Sequence, residues 1–155
     1  MPLLFCLLPN TVLAENIDAQ FKPLKTGGAW VYSVESEFDD VKDSLVEAIE
    51  SRGMVISYVS HAESMLARTA STIGGKVVYC DAEVLLFCKA NLAHRLVAAN
   101  PHNLILCPYA MSVYALADEP SRIYVGIRAP QARVGEYRAV HELLVGVVVE
   151  ALAEQ

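Results

Sequence analysis

Long apolar runs are scarce in this chain, and the short motifs that usually announce chemistry are missing. The longest C-terminal apolar run, residues 143–149, is cut by Gly146 and flanked by Glu142 and Glu150. That is far short of the about 20 residues a helical membrane crossing needs, so no membrane span is expected in the mature chain. Basic charge is also short: Lys+Arg is 12 against Asp+Glu 18, a net charge of −6. No Lys/Arg run supplies the basic footprint of a nucleic-acid binder, so no nucleic-acid partner is expected. Gly27-Gly28 and Gly74-Gly75 are isolated pairs, which excludes the Gly-rich loops that cradle phosphates. His141-Glu142 has no second histidine at the spacing of a zinc protease helix. There is no G-x-S-x-G and no C-x-x-C, so neither a nucleophile elbow nor a thioredoxin-like pair is present. No catalytic residues are assigned, no cofactor is named, and the balance is against an enzyme.

What is present is a chain of 155 residues, 54% apolar and 19% charged. That is enough for one well-cored domain and too apolar for a disordered protein. Residues 1–14 carry no charge and hold an apolar core from Leu3 to Leu8, broken by Pro9-Asn10. Val12-Leu13-Ala14 then offers small residues where a signal peptidase cuts. This predicts a secretory signal over 1–14, hence a periplasmic or secreted protein. The competing reading is a buried N-terminal strand or helix. Residues 15–28, with Pro23 and Gly27-Gly28, read as an N-terminal arm, and 29–155 as a single domain.

The pattern along that domain is strand, helix, strands with a short helix among them, then a long helix. Trp30, Tyr32 and Val34 alternate with Ala29, Val31 and Ser33, as in a half-buried strand. Ser36 stands three residues before Asp39, a capping signal. Phe38, Val41, Leu45, Ala48 and Ile49 follow at helical spacing, and Gly53 is the expected stop. Strand-forming residues fill 54–59. Residues 61–72 suit a short helix or an ordered loop, and 83–88 is the better part of a strand. Asn91 is an N-cap candidate for a helix over 92–99, which Asn100-Pro101 ends. Residues 110–116 and 122–128 predict a hairpin joined by the turn-rich 117–121. The last helix carries the stripe Tyr137, Val140, His141, Leu144, Val147, Val148 and Leu152. His141 on that stripe reads as a core histidine with a satisfied hydrogen bond. Together these predict an α+β fold, a mainly antiparallel sheet with helices packed on one face.

The cysteines carry the main hint of chemistry. Removal of 1–14 would leave Cys80, Cys88 and Cys107, enough for one disulfide and one leftover thiol. Cys88 ends an apolar strand and Cys107 precedes Pro108, so the intervening short helix can bring both to one sheet end. Three readings follow: buried free thiols, a disulfide or redox pair of Cys88 with Cys107, and a metal site adding His94 and His102. Sulfur with imidazole suits copper or zinc. Tyr109, Tyr114 and Tyr124 read as sheet-face packing. A ligand cleft between the sheet and the last helix is a further candidate.

Residues 83–114 resemble the domain of unknown function 302 family. The features are Phe87-Cys88 at a strand end, the 92–99 helix, Asn100-Pro101, the step from Leu104 to Pro108, and Val113-Tyr114. The helix over 38–53 with its following strand is similar to the family's opening, and the likeness spans about residues 30–130. In this chain Cys107 precedes Pro108, where the family commonly has proline and then cysteine. The resemblance implies a TATA-binding-protein-like α+β fold, often paired as a homodimer, with no settled activity. The expected function is an exported, non-enzymatic binding protein for a small ligand or a periplasmic protein partner. The rival is a metal- or redox-handling protein using Cys88 and Cys107.

Overall fold

The computed structural model describes residues 21–155. The signal expected over 1–14 lies outside the described residues, as does the first part of the 15–28 arm. The elements are β1 (Leu24–Lys25), β2 (Ala29–Glu35), α1 (Phe38–Glu50), β3 (Val55–His61), α2 (Ala62–Ile73) and β4 (Tyr79–Cys88). They continue with α3 (Ala90–Ala99), a 3-10 turn (Pro101–Leu106), β5 (Tyr109–Leu116), β6 (Glu119–Arg128) and α4 (Tyr137–Ala153). Six strands form one antiparallel sheet in the order β1-β2-β6-β5-β4-β3. The expected α+β architecture is therefore what the chain adopts.

Register explains the core. Tyr32 pairs with Val125, Val125 with Val113, and Val113 with Glu83. Because side chains alternate across a strand, every residue in that row faces the same side. Met111, Val113, Ala115, Ile123, Val125 and Ile127 are buried there. α1 and α4 cover that side and pack against each other. α1 buries Val41, Leu45, Ala48 and Ile49. α4 buries the whole predicted stripe together with Ala151. The interval between sheet and α4 is filled by this core, so the cleft expected there is not where the open space lies.

Local signals were redirected in three places. α1 takes Glu37 as N-cap without a side-chain bond. Ser36 instead donates to Gln155 Oε1 at 2.6 Å, tying the start of α1 to the chain end. α3 begins at Ala90, one residue before Asn91, whose Oδ1 accepts from the Leu92 amide. The hairpin turn is only Ala117-Asp118, because Leu116 pairs with Glu119 and β6 extends back through Pro120. Gly53 does end the first helical unit, at φ +70°, a conformation that costs a side-chain-bearing residue about 1–2 kcal/mol. Just before it, Arg52 donates to the Ala48 carbonyl at 2.8 Å and the Gly146 carbonyl at 3.2 Å. It also pairs with Glu150 at 2.5 Å, fastening the end of α1 to α4.

Candidate functional site

The structure brings Cys88 and Cys107 together. β4 delivers Cys88 at its C-terminal end, and α3 with the 3-10 turn returns the chain to Cys107 just before β5. Asn100 supports that return: its side chain accepts from the His102 amide at 2.9 Å, and the Asn103 side chain donates to the Leu96 carbonyl at 2.9 Å. The two sulfurs are joined, with Cα atoms 6.7 Å apart and a sequence separation of 19. That spacing lies within the span a disulfide allows. Cys80 is the leftover thiol. It sits exposed at an irregularity between Tyr79 and Asp81 on β4.

His94 and His102 lie on the same connection, but both are exposed. Among the described residues no group of three or more His, Cys, Asp or Glu side chains is gathered to hold a metal. The reason is geometric: α3 and the 3-10 turn bury Leu96 and Leu106 and pack Leu92 against the core, which leaves His94 and His102 on the solvent side.

A second arrangement lies where β6 hands over to α4. His141 is 6% exposed, as the stripe predicted. Among the described residues neither buried ring nitrogen has a well-formed hydrogen bond, and the Arg128 carbonyl is the backbone acceptor that approaches the ring. The Trp30 ring meets the imidazole edge-on, with centroids 4.5 Å apart. The Lys25 ammonium lies over the Trp30 ring, 4.1 Å from its centroid. Burial pushes the His141 pKa down and nearby Lys25 adds to this, while the Arg128 carbonyl and Glu142 oppose it. The imidazole is thus held toward its neutral form. A cleft of about 540 Å³ opens beside it, lined by Pro130, Gln131, Val134, Arg138, His141 and Glu142 among others. The volume falls in the range of small-molecule sites.

Among the described residues the buried Tyr109 hydroxyl also lacks a well-formed partner. Burial, with Tyr137 nearby, pushes its pKa up to about 12 against the backbone hydrogen bond from Lys89. On the core face near the β3 edge, Glu83 sits 3.2 Å from His61 Nδ1 and 3.9 Å from Lys42. This small charged cluster rims the core.

Reading the sequence did not find Trp30, Lys25 and Arg138 as neighbours of His141. The one available signal was a histidine interrupting an otherwise apolar helical stripe.

An antiparallel six-stranded sheet backed by two helices defines the class as a compact α+β domain. The chain belongs to the family described as Domain of unknown function DUF302, whose model matches residues 30–154. The resemblance of residues 83–114 is thereby confirmed over nearly the whole domain. A solved structure, an uncharacterized conserved protein DUF302 from Bacillus stearothermophilus, is similar with a TM-score of 0.59 and 17% identity. The alignment covers 83% of this chain and 95% of that one; at this identity it speaks to the fold alone. No curated protein matches the chain.

Proposed function

We propose that this protein is an exported, non-enzymatic binding protein that holds a small ligand and works as a homodimer. The observation that carries the reading is the cleft beside His141. Its volume suits a small molecule, and its lining joins apolar side chains to the Arg138 guanidinium and the Glu142 carboxylate. The apolar 1–14 segment supports export. Dimerisation is supported by α2, which buries only Ala70 and leaves Met65, Leu66 and Ile73 exposed beside Val77 and Val78. Native mass spectrometry of protein taken from its own compartment tests the binding reading. The expected result is a retained small molecule on a chain beginning at Glu15, in a species of twice the chain mass. Bare monomer beginning at Met1 would refute it.

The juxtaposition of Cys88 with Cys107 favours a second reading, a redox-handling protein. Exchange with a small dithiol should then open the pair reversibly in the folded protein. A pair that resists dithiol until the protein unfolds is a structural crosslink, and this reading falls.

A further inference from the structure

The charge of this acidic protein is unevenly placed. Segments 21–30 and 128–142 hold Lys22, Lys25, Arg128, Arg133 and Arg138 against only two carboxylates, Glu136 and Glu142. The fold draws the two segments into one corner: Ala29 pairs with Arg128, the Ala129 amide donates to the Gly28 carbonyl at 3.0 Å, and Trp30 meets His141. A basic corner on a molecule of net charge −6 attracts anions locally while the rest of the surface repels them.

The cleft in that corner combines apolar walls, including Pro130 and Val134, with a single guanidinium, that of Arg138. The Arg138 side chain is 86% exposed, and its Glu142 partner is 3.8 Å away. Such an exposed pair one helical turn apart contributes little, so a ligand carboxylate can take the guanidinium without a large loss. The planar fork of arginine matches a carboxylate in two parallel hydrogen bonds. Glu142 on the same wall works against a doubly charged head. His141 closes the inner end of the cleft with its ring nitrogens buried, so the ring meets the ligand body as a largely apolar wall.

We propose that the cleft at the start of α4 binds a small organic monocarboxylate with an apolar body. The carboxylate sits on Arg138 and the body lies along Val134 and Pro130 toward His141. This rests on the reading of the protein as a ligand carrier and names the ligand's chemistry.

The test is an NMR titration of the full chain, following the His141 ring nuclei and the Trp30 indole. The probes are benzoate, hexanoate, the uncharged benzamide and inorganic phosphate. Benzoate or hexanoate should give saturable shifts at both rings, with benzamide and phosphate at least about tenfold weaker. Arg138→Gln, an exposed change that leaves folding intact, should weaken carboxylate binding by about tenfold, or about 1.4 kcal/mol. Absence of saturable shifts with both carboxylates, or equal affinity in Arg138→Gln, overturns the proposal. A neutral molecule retained by the native protein and shifting His141 would also overturn it, while leaving the carrier reading standing.

Discussion

Replacing Leu144 by alanine should remove more stability than any change on the surface of this protein. Leu144 is 0% exposed and is among the largest fully buried side chains. It belongs to the core that α4 shares with α1 and the sheet, so truncation leaves a cavity inside a packed interior. Measured costs for such leucines run from about 2.7 to 5.0 kcal/mol, rising with the cavity that remains. Enclosure by a helix pair and a sheet places this site near the middle, at about 3–4 kcal/mol. For a chain of this length each kcal/mol lowers Tm by about 2–4 °C, so the midpoint should fall by about 10 °C. In urea, with a slope of about 2 kcal/mol per molar, the midpoint should fall by about 1.5–2 M at unchanged slope. The comparison variant is Ile105→Ala, on the 3-10 turn, where the side chain is 80% exposed. That change should stay within about 0.5 kcal/mol. Equal losses at the two positions, or a Leu144→Ala loss below about 0.5 kcal/mol, would refute the assignment of α4's stripe to the core.

His141 should make stability depend on pH. Its pKa is depressed from 6.5 in the folded chain, so below 6.5 the unfolded chain binds more protons than the folded one. Stability contributed by neutral burial is therefore complete above 6.5 and declines as pH falls toward the folded pKa. His141→Phe should flatten that part of a denaturation-against-pH curve, and an unchanged slope would disprove the role. The Cys88–Cys107 link closes a loop of about 20 residues, which in the chain-entropy account contributes about 3 kcal/mol. Cys107→Ala should lower the urea midpoint accordingly, whereas alkylation of both Cys88 and Cys107, besides the free Cys80, in the native oxidised protein would show that no link forms. Gly53→Ala forces a Cβ into φ +70° and should cost about 1–2 kcal/mol. A neutral result by thermal denaturation would mean the turn relaxes.

Much of this fold is written in local periodicity. The stripe of α4 and the spacing of Val41, Leu45, Ala48 and Ile49 in α1 determine two helices, because a 3.6-residue repeat has one stable burial geometry. The alternation in β2, β5 and β6 determines half-buried strands for the same reason at period two. The termini of elements were less legible. Ser36 and Asn91 have the chemistry of caps, but Ser36 found Gln155, 119 residues away, and α3 began one residue before Asn91. Capping competes with every other partner that folding brings near, and sequence reports only the local contestants.

The candidate sites divide along the same line. That Cys88 and Cys107 can approach follows from a strand, a short helix and a return, all visible in the sequence. That His94 and His102 stay outside depends on which side of a surface helix faces water, and only the packed structure decides it. The cleft beside His141 is the extreme case. Trp30 and His141 are 111 positions apart and meet only because β2 pairs with β6 and β6 feeds α4. The sequence by itself determined the elements and the faces they bury, since those depend on neighbours within a few residues. Tertiary structure alone decided which polar groups were left without partners, since that depends on what the finished core places beside them.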